Sequence, residues 1–77
     1  MRPVLVPSPQ VEVVPSVQDQ CDGCGAAARL GLRLANGGEL TFCGHHANRH
    51  ADRIVRTARL IILEDGFDWT GASQLTR

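Results

Sequence analysis

Four residues, Cys21, Cys24, Cys43 and His46, constrain this chain more than anything else in it. The first pair lies in Cys21-Asp22-Gly23-Cys24-Gly25 and the second in Cys43-Gly44-His45-His46. A C-x-x-C knuckle presents two sulfurs from one tight turn. A C-x-x-H at a helix start presents a third sulfur and an imidazole. Thiolate and imidazole suit the borderline softness and tetrahedral preference of Zn2+. Gly23 and Gly25 let the knuckle curl so that its amides face the thiolates, and the positive end of a following helix favours the same negative charge.

The 77-residue length makes such a staple useful, because a core this small is marginal alone. Three cysteines are an odd number for a disulfide framework. A redox C-x-x-C would ordinarily belong to a thioredoxin-like βαβ unit, for which the chain is too short. The fourth ligand is less sharply defined than the thiolates. His46 has the preferred spacing, His45 is adjacent at a tighter C-x-H spacing, and His50 follows one turn later as a further alternative.

Residues 1–19 hold all four prolines and read as an extended or flexible arm, with Val4–Val6 and Val11–Val14 as short extended pieces that can add to a sheet edge. Residues 20–64 read as the zinc-binding domain. In its first half Ala28, Leu30, Leu32 and Leu34 alternate with Arg29, Gly31 and Arg33, the period of a strand. A three-residue Asn36-Gly37-Gly38 turn, with a glycine in the left-handed position, sets Leu34 opposite Leu40 and Leu32 opposite Phe42, which keeps one face apolar.

Residues 44–64 read as one long helix, with Ala47, Ala51, Ile54, Val55, Ala58, Ile61 and Ile62 at steps of three and four and Gly66 near its C-cap. At about 30 Å it outruns the hairpin, so Ile61, Ile62 and Leu63 overhang and need a cover. Residues 65–77 read as a polar tail carrying Phe67 and Trp69. The expected architecture is therefore a small α+β zinc-stabilised domain of treble-clef or zinc-ribbon-like type: knuckle, β-hairpin, long C-terminal α-helix.

Formal net charge is zero, so bulk charge does not decide between a protein and a nucleic acid as partner. All eight basic residues are arginines, and Arg49, Arg53 and Arg56 fall on one helical face. The N-terminus does not read as a signal peptide, and the apolar run Leu60–Leu63 is far short of a membrane span. These features give a cytoplasmic, non-membrane expectation.

Cys21–Ala26, Gly37–Leu40 and Phe42–Asn48 resemble an uncharacterised family of short actinobacterial and actinobacteriophage zinc-finger-like proteins. Its motifs run C-x-x-C-G-A, Gly-Gly-Glu-Leu, then F-C-x-H-H-A-N. The resemblance implies a cytoplasmic protein of such a bacterium, or of the host cytoplasm if phage-encoded, and no activity.

The functional expectation is a non-enzymatic zinc-binding interaction module that binds another protein, with a regulatory role. Its candidate contact residues are Ile61, Ile62, Phe67 and Trp69 together with Arg49, Arg53 and Arg56. The rival is a transcription-related nucleic-acid-binding finger that uses the arginine face. A His-Asn-His nuclease is a distant alternative, because it needs a catalytic histidine on a hairpin that here has none. Oligomeric state is left open by the sequence.

Overall fold

The computed structural model describes residues 9–75. Five strand residues, β1 (Gln10–Val14), precede the knuckle; β2 (Leu30–Leu34) and β3 (Glu39–Phe42) form the hairpin. Two short helices follow, α1 (Gly44–Arg49) and α2 (Ala51–Thr57), then β4 (Ala58–Glu64) and a 3-10 turn over Thr70–Gln74. The sheet order is β1-β4-β2-β3. β4 runs parallel to β1 and antiparallel to β2, while β2 and β3 are antiparallel.

The expected long helix over 44–64 is corrected by this topology. Helical structure stops at Thr57, and Ala58 takes an extended backbone with φ −79° and ψ 140°. Ile61, Ile62 and Leu63 do not overhang a helix; they lie in a central strand with neighbours on both sides. Ile61 is fully buried between Val11 and Leu32 in the ladder. The physical reason is area. A helix would leave these residues beyond the hairpin, whereas a strand gives them two hydrogen-bonded flanks and a helix layer to pack on. A register irregularity at Arg33/Leu34 brings Ala58, rather than Arg59, opposite Leu34. It marks where the chain turns from helix into strand, as bulges commonly do.

Helical structure is also broken once, at His50, whose φ of −104° and ψ of 21° separate α1 from α2. Hydrogen bonds from His50 to the His46 carbonyl and from Ile54 to the His50 carbonyl bridge the break, so the two pieces stay nearly continuous. Ala47, Ala51 and Ile54 face the sheet and meet Leu30, Leu32, Ala58, Ile61 and Trp69 in the core.

The hairpin turn is three residues long, as expected, but sits one residue earlier, over Ala35–Gly37 with Gly37 at φ +91°. Leu32 therefore pairs with Leu40 and Leu30 with Phe42. This two-position shift from the expected register keeps every side chain on its intended face, because strand side chains alternate with period two. Gly66 has φ +87° as expected of a special glycine, but it turns the chain after β4 rather than capping a helix.

The arm and tail are parts of the same fold. In the arm read as extended or flexible, the Val11–Val14 piece lies in the edge strand β1, and the Val4–Val6 piece lies outside the described residues. Glu64 ties three segments together: it accepts from the Val17 amide at 3.2 Å and from Arg29 Nε at 3.0 Å. Arg29 in turn lies over the Phe67 ring, 5.1 Å from its centroid.

Candidate metal centre

The knuckle is formed by local backbone hydrogen bonds. Gly25 donates to the Cys21 carbonyl, Cys21 donates to the Ala26 carbonyl, and Gly25 takes φ +81°, where a side chain would be strained. A clasp then fixes the knuckle against the hairpin. The Asp22 amide donates to the Thr41 carbonyl, and the Thr41 amide donates to Asp22 Oδ2, both at 2.8 Å. These bonds satisfy the outer edge of β3 at Thr41. Asp22 was not singled out in the sequence, although its place inside the knuckle was the available signal.

Cys43 follows β3 and caps α1, with its sulfur accepting from the His46 amide at 3.5 Å. The cap also carries His46 towards the knuckle. Cys21, Cys24, Cys43 and His46 consequently place their ligand atoms within 4.8 Å of one another. Cys24 and Cys43 sulfurs are 3.8 Å apart, and His46 Nδ1 is 3.5 Å from Cys21 Sγ and 3.3 Å from Cys43 Sγ. Zinc bonds of about 2.3 Å to sulfur and about 2.05 Å to nitrogen define a tetrahedron with edges of about 3.8 Å and about 3.6 Å. The donor spacing fits that figure, and all three cysteines are free thiols.

The electrostatics point the same way. The His46 amide and imidazole lower the Cys43 thiol to about 6. At Cys21, burial pushes the thiol up, but amides of Cys43, Gly23 and Cys24 outweigh it and the net shift is downward. At Cys24 the Ala26 amide pulls down, but desolvation and the neighbouring Cys21 and Cys43 sulfurs prevail and push it up. His46 is raised, chiefly by its bond to Cys43. Thiolates this close repel one another unless a cation lies among them.

Of the three histidines, His46 is the one whose nitrogen joins the sulfurs. His45 is exposed and meets the His46 ring edge-on, at 5.3 Å between centroids. His50 stacks on His46, at 6.0 Å between centroids and 15° between planes. Gly23 approaches His46 from the knuckle, where an added Cβ would lie 3.5 Å from Cδ2 and Nε2.

The candidate contact residues divide. Arg49, Arg53 and Arg56 are exposed, as expected. Ile62 and Phe67 are half-buried, Phe67 standing against Gly44 and Arg29. Ile61 and Trp69 belong to the core, Trp69 at 3 % exposure, so neither is presented to a partner. The reason for Trp69 is a complete set of internal contacts: its indole N–H reaches the Ala47 carbonyl, and Gly71 leaves room for its ring.

Fold and site together define a small α+β domain with a Cys3His cluster placed to hold a metal ion. Residues 15–68 match the model of a family described as a domain of unknown function, DUF7455, and the chain belongs to that family. No curated protein and no solved structure matches it. No helix among the described residues is long and apolar enough to cross a membrane.

Proposed function

We propose that the domain is a non-enzymatic, zinc-stabilised interaction module whose partner is another protein. Three sulfurs and one imidazole fill all four positions of a tetrahedral zinc, the pattern of a structural rather than a catalytic site, which keeps a position for water. The metal then fastens knuckle to helix and contributes to folding. Three reduced thiols suit a reducing cytoplasm, and the motifs between Cys21 and Asn48 support an origin in an actinobacterium or its phage.

The observation that carries the protein-binding reading is residual apolar exposure at both sheet edges. Val11 and Val13 are 43 % and 61 % exposed on β1, and Leu40 is 37 % exposed on β3. A second reading, nucleic-acid binding, draws on Arg49, Arg53 and Arg56, which share one helical side and make no ion pair among the described residues.

Affinity capture with the zinc-loaded chain, with and without nuclease treatment, separates the readings. A protein retained after nuclease, and lost with Leu40→Ser or Val13→Ser, supports the first. Capture abolished by nuclease, with direct binding of a duplex oligonucleotide that weakens steeply as salt is raised, would transfer the function to the second, because phosphate contacts carry that salt dependence.

A further inference from the structure

Between the hairpin and α2 lies a groove of about 180 Å³, and His50 in its lining stacks on His46. Leu32 and Ile54, both buried, form its floor, and Leu40 and Phe42 form one wall. An apolar cavity of about 150 Å³ holds a benzene ring, so the space matches one aliphatic or aromatic side chain. The rim is polar on the helix side only. Thr57 lines it there, with its hydroxyl donating to the Arg53 carbonyl at 2.8 Å. Arg53 and His50 complete the rim.

The charge at this mouth is unneutralised. Arg53 makes no ion pair among the described residues, and Arg49 and Arg56 extend the same cationic side. Asp52, the only carboxylate on α2, is engaged by Gln74 Nε2 at 2.7 Å. Glu39 is paired with Arg33, whose place in the ladder puts it on the other face from Leu32. The chain's own first eight residues contain Arg2 and no carboxylate, so they do not complement the rim.

We infer that this groove binds an acidic peptide segment of another protein, with an aliphatic or aromatic anchor in the Leu32/Ile54 pocket and a neighbouring Asp or Glu against Arg53. The inference rests on the protein-binding reading above and names its surface and the chemistry of its partner. Apolar depth beside a guanidinium favours such a peptide over a phosphate backbone, which has nothing to place between Leu40 and Ile54. His50 also couples the groove to the metal. Its ring lies 5.9 Å from Phe42 and stacks on the ligand His46, so a loaded centre holds one side of the rim.

Selection from a random peptide display library against the zinc-loaded full chain tests this directly. Enriched peptides should carry an aliphatic or aromatic residue within a position or two of Asp or Glu. A synthesised member should shift amide resonances of β3 and α2. Arg53→Glu should weaken it about tenfold or more, Leu40→Ser should weaken it comparably, and Arg33→Glu on the other face should leave it unchanged. Both weakened variants alter exposed side chains, and circular dichroism checks their fold. Removing zinc with a chelator should also reduce binding. Peptides that map to Val11 and Val13 would overturn the groove while leaving the protein-binding reading intact. No enriched peptide, with a duplex oligonucleotide bound through Arg53 instead, would overturn both. Enrichment of basic or wholly polar peptides would likewise sink the proposed chemistry.

Discussion

The indole Nε1 of Trp69 donates to the carbonyl of Ala47 over 2.8 Å, joining the tail to the first helix. Ala47 follows His46 directly, so the tail clamps the element that carries one side of the candidate metal centre. Two further bonds fasten the same clamp: the Thr70 amide donates to Asn48 Oδ1 at 2.8 Å, and Gln74 reaches Asp52. Asn48 and Asp52 therefore act as acceptors for the tail, not as free surface groups.

Trp69→Ala should accordingly be severe for folding. Loss of a buried indole costs about 3–5 kcal/mol and leaves the Ala47 carbonyl without its donor. In a domain of this size that approaches the whole stability. Urea denaturation of the zinc-loaded chain measures it. An unchanged midpoint would show that the tail does not dock as described.

Gly71→Ala tests the same clamp from the other side. A Cβ at Gly71 would fall 2.3 Å from Trp69 Cζ2, so the ring or the 3-10 turn must move. The expected loss is about 1–3 kcal/mol, typical of overpacking, with a change in tryptophan fluorescence. Gly25→Ala makes no such contact, and its cost should be only the strain of φ +81°, about 1 kcal/mol.

Zinc content should separate the histidines. The wild-type chain should carry about one zinc by elemental analysis, as a single four-donor site requires. Cys24→Ser and His46→Ala should lose most of it, and His45→Ala should keep it. Retention in His46→Ala with loss in His45→Ala would reverse the ligand assignment.

The pH dependence follows from Cys43. Its thiol lies at about 6 in the fold against an ordinary 9.0. An acid depressed in this way contributes stability that is complete above 9.0 and is lost as pH falls through about 6. His46 has the opposite sign: its raised value favours the metal-free fold below 6.5, and the contribution is lost as pH rises through that raised value. Protons and metal compete for the same donors, so zinc should remain bound at neutral pH and be released on acidification. Titration with a chromophoric zinc indicator follows the release. Release that starts well above neutral pH would contradict this reading of Cys43.

The candidate sulfur donors were legible because their spacing is a local property. Cys21 and Cys24 share one turn, and Cys43 opens the following helix, so the three sulfurs are set by position in the sequence, whereas the choice of His46 over His45 and His50 needed the fold. The hairpin was legible for a similar reason: alternation from Leu30 to Leu34 and a glycine turn specify a face, and a two-residue slip in register left that face unchanged. Ala58–Glu64 was not legible. Ala58, Ile61 and Ile62 satisfy a helical step of three and four, while Leu60–Leu63 is an unbroken apolar run of the kind a doubly flanked strand also shows. The β-branched pair Ile61-Ile62 was the one local hint towards a strand.

Sequence alone thus determined the three candidate sulfur donors, the knuckle and the hairpin, because each depends on residues a few positions apart. Only the tertiary structure decided that the chain leaves α2 at Thr57 to become the centre of a sheet. That choice depends on β1 lying parallel alongside β4 and on β2 offering its free flank, partners that lie far away in the chain. It also decided that Trp69 is core rather than contact surface. The cavity it fills exists only once α1 and the 3-10 turn have closed around it.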